Sequence, residues 1–249
     1  ETREVIRSVA QLSITPQFDF WAASHGFDHR TLLPPFVPWN RAEDTVMSSI
    51  LTRCCGPLVC GYVPALALHN PPEKRAFRPN WRSNYGVTTV NECLVTFLLN
   101  YAPPEGLPIE ASLRQFGRYL QEIGSLPFGD FAAALEFYYR ENLCVQIALF
   151  HSYLAGNLPD YWKEDIAAIA RTMEERLQSP HPLEVRLNAH QPMPEGKSGL
   201  QRAHELALRF GQLLEVWPAL VEASGRTGDD ERAERPVREP SAVSHVRVS

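Results

Sequence analysis

The feature that most constrains the fold is a change of hydrophobic period near Asn84. Beyond it, apolar residues recur at helical spacing in five runs, each punctuated by proline or glycine. The run 88–100 carries Val90, Leu94, Val95, Phe97 and Leu98 and ends before Pro103 and Pro104. The run 108–123 carries Leu113, Phe116 and Leu120 and stops at Gly124. In 130–153, Asp130 is the expected cap, Phe131, Leu135, Tyr138, Leu143, Ile147 and Phe150 the inward residues, and Gly156-Asn157 the stop. Asp160 opens a fourth run to 177, broken by Ser179-Pro180-His181-Pro182. A fifth, 200–223, contains Pro218, which is expected to kink it or cut it short. Short connections make successive helices antiparallel, so the packing expected is a compact bundle with Tyr138, Tyr139, Phe150 and Trp162 in its core.

Ahead of Asn84 the pattern is that of strands. In 4–15, Ile6, Ala10, Leu12 and Ile14 alternate with Arg7, Gln11 and Ser13, which reads as a half-buried strand, and 18–23 allows a second. The apolar run 58–68 reads as a strand that Pro64 confines to an edge or a bulge. The fold class expected is therefore an α/β front with a partial mixed sheet, followed by a mainly α-helical bundle. The division is 1–82, 83–224, and a polar tail over 225–249. That tail has too little apolar content to offset the entropy of ordering.

Between the two front strand regions lies the stretch that bears chemistry. The prolines Pro34, Pro35 and Pro38 stiffen the approach to Asn40-Arg41-Ala42-Glu43-Asp44, where a helix over 41–54 begins. Asn40 is placed to be its N-cap and Glu43 to close a capping box three residues on. Val46, Met47, Ile50 and Leu51 share the buried face. Asp44 is left over once the cap is satisfied. A carboxylate in the first turn meets free backbone N–H groups and the positive end of the helix dipole, which suits a proton acceptor. Asp44 is therefore a candidate general base.

The pattern Pro-Pro-Phe-x-Pro-x-x-Arg-x-Glu-Asp, followed by a strand ending in Leu68-His69, resembles the acceptor half of inverting glycosyltransferases of the GT-A fold, family 2 in particular. The likeness covers about residues 5–80. It implies that Asp44 takes the proton from the acceptor hydroxyl, with Glu43 its neighbour in the motif. It also implies that His69 completes the shell of a divalent metal, Mg or Mn, supplied with the nucleotide-sugar donor. The family's upstream Asp-x-Asp motif has no counterpart here, which implies that the nucleotide-binding half is missing. A chain that begins with Glu rather than Met fits a processed product or an excised fragment.

Around this motif, Asp28 and Arg30 arrive next to the candidate base and are placed to bind a hydroxylated acceptor, with Trp39 and Arg41 inside the motif itself. The loop 70–82 gathers Lys74, Arg75, Arg78 and Arg82 in an otherwise acidic chain. Guanidinium groups there suit a diphosphate and Trp81 suits stacking on a sugar or base, so Arg75, Arg78 and Trp81 complete the substrate-binding set.

Composition narrows the partners. A net charge of -5 argues against non-specific nucleic-acid binding, which needs a positive field. Five scattered cysteines, without Cys-x-x-Cys spacing, give neither a zinc signature nor a disulfide framework and fit a reducing cytosol. The most apolar stretch, 131–150, is interrupted by Glu136, Arg140, Glu141 and Asn142 and is too polar to span a bilayer. Two readings follow: a glycosyltransferase part acting on a nucleotide-sugar and a hydroxyl acceptor, or a non-catalytic protein whose helical domain binds a protein partner beside a degenerate transferase remnant.

Overall fold

The computed structural model describes residues 9–15, 26–27, 31–38, 42–54, 60–64, 85–187 and 196–232, with side chains up to 224. A short α/β front is followed by a mainly helical region. In chain order the elements are β1 (Ser13–Thr15), α1 (Glu43–Cys54), β2 (Cys60–Tyr62), β3 (Thr88–Thr89), α2 (Val90–Leu99), α3 (Ile109–Gly124), α4 (Phe128–Leu154), α5 (Asp160–Gln178), β4 (Val185–Arg186) and α6 (Gly199–Arg232).

The helices bury the faces that their periodicity marks. In α3, Leu113, Phe116 and Leu120 are fully buried, and in α4 so are Phe131 and Leu135, one turn apart. Val37, which precedes α1, and Val46, Ile50 and Cys54 of α1 lie in the same core as Phe97, Phe116, Phe131, Phe210 and Leu214. The front and the helical part are thus joined by shared apolar burial. A second small cluster of Tyr139, Leu143, Ile169 and Met173 seats α5 on α4.

Helix starts follow a rule that differs from the expected one. Pro108, Pro127 and Pro159 occupy the N-cap positions of α3, α4 and α5, with ψ near the extended range and no side-chain cap bond. Proline is already held at a compatible φ and its carbonyl accepts the first helical bond. Asp130 is therefore a first-turn residue of α4 rather than its cap; both it and Asp160 sit where the helix dipole favours a negative charge. Full capping boxes start α2, where Glu92 N–H donates to the Thr89 hydroxyl and the Glu92 carboxylate accepts from the Thr89 N–H, and α6, where Gln201 N–H donates to the Ser198 hydroxyl and the Gln201 side-chain oxygen accepts from the Ser198 N–H.

The end of α5 is closed from outside. Arg140 of α4 donates to the carbonyls of Leu177, Ser179 and Pro180 at 2.9, 3.0 and 3.2 Å, and its Nε is held by Glu136 at 3.0 Å. One guanidinium thus satisfies carbonyls at a helix end that has lost its own partners. Arg140→Met is expected to lower stability by about 1.5 kcal/mol, the scale of hydrogen bonds from a charged group at a part-exposed site. A urea titration of the two proteins measures it.

Strands depart from expectation in three places. Only residues 13–15 of the expected strand 4–15 are strand among the described residues, and Leu12 and Ile14 are 63% and 70% exposed rather than facing a core. Among the described residues β1 pairs with β2 alone, antiparallel with Ser13 opposite Tyr62, and a two-stranded ribbon by itself buries little of either face. Of the run 58–68 only 60–64 are among the described residues, and there Cys60–Tyr62 is strand with Pro64 beyond its end. After Asn84 strands do not vanish: β3 and β4 form a two-residue parallel ladder, Thr88 opposite Val185.

Pro218 neither ends α6 nor shortens it, since the helix runs on to Arg232, into the stretch whose composition suggested a disordered tail. Trp162 is 53% exposed, not core, because the inward face of α5 is Ile166, Ile169, Ala170 and Met173.

Carboxylates at the helix junctions carry a pH dependence. The Arg186 guanidinium, with Arg176, holds the Glu184 carboxyl below its usual range, and Lys197 with Arg202 does the same for Glu205. A folded-state value below the unfolded one adds stability that is present above the unfolded value and is lost as pH falls through the folded one. Stability is therefore expected to fall on acidification from about pH 4.5 downward, the unfolded glutamate range. Glu184→Gln and Glu205→Gln should each flatten that fall in acid-dependent urea titrations.

Candidate functional site

The helix that carries the Glu-Asp motif starts later than its cap chemistry suggests. Its first internal bond runs from the Val46 N–H to the Ala42 carbonyl at 3.1 Å, which makes Ala42 the cap residue and Glu43 the first helical residue. The Asn40-to-Glu43 capping box is therefore not the device that starts α1: Glu43 stands one position from the cap, too close to reach back in that geometry. Ala42 instead adopts φ 67°, a left-handed conformation directly before the first helical residue.

Asp44, the second helical residue, is half-buried, as is Glu43. One Asp44 carboxylate oxygen accepts the Thr45 backbone N–H at 2.8 Å and lies 3.4 Å from the Thr45 hydroxyl. The carboxylate is thus oriented at the helix end while the opposite face of α1 is locked in place by Val46, Met47, Ile50 and Leu51, all buried.

The approach to the motif is fixed as well. The Trp217 indole N–H of α6 donates to the Leu33 carbonyl at 2.6 Å, and Val37 is 2% exposed. Leu33 and Phe27 pack against Met47 and Leu51. Prolines leave carbonyls without neighbouring N–H partners, and an indole from the helical part supplies one. No local sequence signal joins Trp217 to Leu33, so this brace was not legible in the chain.

The other residues singled out from the sequence, Asp28, Arg30, Trp39, Arg41, His69, Arg75, Arg78 and Trp81, lie outside the described residues. Among the described residues no three His, Cys, Asp or Glu side chains come together as a metal-binding group. Also among them, no helix is long and apolar enough to cross a membrane.

No family model, no curated protein and no solved structure matches this chain. Function therefore rests on the geometry of its own residues.

A concave feature lies on the helical part, apart from the Glu-Asp motif. The facing sides of α2 and α4, with residues 85–88 along one edge, enclose a groove of about 690 Å³, within the range of ligand-binding clefts. Gly86, at φ 78°, presents its carbonyl to the Tyr139 hydroxyl. Burial pushes the Tyr139 hydroxyl up from its usual pKa, against the opposing pull of Arg176, so it remains a donor. The β3–β4 ladder anchors the same segment from the other side through Thr88 N–H to Glu184 carbonyl, 3.1 Å. Beneath, Cys93 is fully buried and its thiol is pushed well above its usual range by burial, which leaves it inert.

Two carboxylates, Glu92 and Glu141, line this groove, and its lining holds no Lys, Arg or His among the described residues. The Thr89-Val90-Asn91-Glu92 capping box was a readable signal for one wall. The other wall had a weaker one: Val145, Leu149 and Tyr153 repeat at intervals of four outside the inward set of α4.

Proposed function

We propose that this chain is the acceptor-side part of an inverting glycosyltransferase in which Asp44 is the general base. The observation that carries the reading is a half-buried carboxylate at the start of a helix whose other face is locked in the core, reached by a proline run braced from α6. General-base catalysis needs a proton acceptor held at fixed distance from the nucleophile, and a rigid helix end meets that need better than a loop.

In the proposed reaction the acceptor hydroxyl gives its proton to Asp44 as its oxygen forms the bond to the anomeric carbon. The bond from that carbon to the donor's phosphate oxygen breaks, and the nucleoside diphosphate leaves with the electron pair. Asp44 then returns the proton to solvent. The nucleotide-sugar donor and the divalent metal implied by the family resemblance belong to this proposal, with His69, Arg75, Arg78 and Trp81 as its donor-side residues and Asp28, Arg30, Trp39 and Arg41 on the acceptor side. Among the described residues no three His, Cys, Asp or Glu side chains form a ligand set for the metal. A cytoplasmic setting belongs to the same reading.

The test is a transfer assay on a chain that joins this part to its donor-binding part. Asp44→Asn should abolish most turnover with donor affinity kept, and wild-type turnover would remove the assignment.

The second reading, a helical protein that binds a partner without catalysis, is favoured by the α2–α4 groove, which lies apart from the Glu-Asp motif in the sequence and shares no lining residue with it.

A further inference from the structure

We propose that the groove between α2 and α4 is a docking site for an amphipathic helix of a partner protein that carries lysine or arginine beside apolar side chains.

Charge argues for the sign of the occupant. Glu141 is exposed and its carboxylate makes no hydrogen bond or ion pair with a described residue. Glu92 accepts the Thr89 N–H through one oxygen of its carboxylate. Three cations of neighbouring elements are already engaged. Arg53 of α1 donates to the Leu99 carbonyl at 2.6 Å, Arg140 closes the end of α5, and Arg176 pairs with Glu184. The titratable group farther along α4, His151, turns to Glu174 of α5 at 2.7 Å. An anionic ligand would meet two uncompensated carboxylates, whereas an ammonium or guanidinium group would meet its complement.

Shape and apolar surface argue for a helix rather than a small molecule. Leu99 and Val145 line the groove at 48% and 67% exposure. From Val145 the apolar ridge continues along α4 through the exposed Leu149 and Tyr153, three side chains at intervals of four. At 1.5 Å rise per residue this ridge extends about 12 Å past Val145. A small ligand would fill the cleft and leave the ridge bare, while a helix laid along it covers both. The side amides supply further partners: Gln146 is bonded to Asn142 at 3.0 Å and Asn100 to the Thr96 carbonyl at 2.8 Å, and each amide keeps an oxygen or N–H for the visitor.

The test uses the whole chain and a fluorescein-labelled synthetic helix with leucines on one face and lysines flanking them, read by anisotropy. Glu92→Gln retains the capping box, because glutamine serves in that role, and Glu141→Gln changes an exposed side chain, so the double variant keeps its fold; an unchanged urea midpoint verifies this. The expected result is saturable binding that weakens about tenfold in the double variant, a change typical of losing charge pairs at an interface, and that weakens again in Val145→Ser. Equal affinity for a control helix with glutamates in place of the lysines overturns the proposal, as does wild-type affinity in the double variant. Self-association of the chain that is lost in Val145→Ser would also overturn it and assign the face to a second copy. Asp44→Asn should leave peptide binding untouched, so this proposal and the transferase reading stand or fall separately.

Discussion

Replacing Gly117 by valine is expected to lower stability by about 3 kcal/mol through steric overlap at a packed helix crossing. The reason is the closeness of α3 and α6. A Cβ at Gly117 would stand 2.5 Å from the Glu215 backbone nitrogen and 2.7 Å from the Gly211 carbonyl oxygen. Both obstacles are main chain, so no rotamer change relieves the clash. The partner surface is matched to this approach: Ala203 and Ala207 are fully buried, and a Cβ at Gly211 would meet the Gly117 carbonyl oxygen at 2.7 Å. The rim of the crossing is closed by Arg118 and Gln121, which donate to the Glu215 carboxylate at 3.0 and 2.7 Å.

A control separates crowding from glycine chemistry. Gly129, in the first turn of α4, has nothing within 4 Å of its ideal Cβ, so Gly129→Ala should stabilise by about 0.5 kcal/mol through helix propensity alone. Urea midpoints of the three proteins decide it. If Gly117→Val were as stable as the wild type, α3 and α6 could not be in main-chain contact.

Asp44→Asn should reduce transfer by about a hundredfold to ten-thousandfold, the contribution of a positioned general base. The substitution is nearly isosteric and its side-chain oxygen can still accept the Thr45 N–H, so the start of α1 should be preserved. What is lost is the ability to take a proton. The expected signature is therefore a fall in kcat with donor affinity unchanged, since the interaction removed acts in the transition state and not in donor binding. Glu43→Gln, one residue away at the cap-side end of the same helix, should cost far less. Equal losses at both positions would point to disturbance of the helix end rather than to removal of a base.

Asp44 and Gly117 owe their settings to causes at different distances along the chain. That of Asp44 comes from adjacent residues: a proline run, an acidic pair and an apolar face at helical spacing are local facts, and α1 formed where they place it, displaced by two residues at its start. The displacement arose because Ala42 took a left-handed turn, which no residue preference of alanine announces. The setting of Gly117 is not local. Gly117 and Gly124 recur seven apart in α3, and Ala203, Ala207 and Gly211 four apart in α6, yet nothing in either run says that one pairs with the other.

The sequence by itself determined that helices form in these runs and which of their faces are apolar, because hydrogen bonding within a helix and its apolar period act over a few residues, while the exact ends of α1, α4 and α6 fell elsewhere than their local signals marked. Tertiary structure alone decided what each face meets. It set α3 against α6 at main-chain contact, closed the end of α5 with Arg140, held the proline run with Trp217 and left Trp162 and the Val145 ridge outside. Each of those outcomes depends on residues tens to nearly two hundred positions apart, whose meeting is fixed only when the whole core is packed at once.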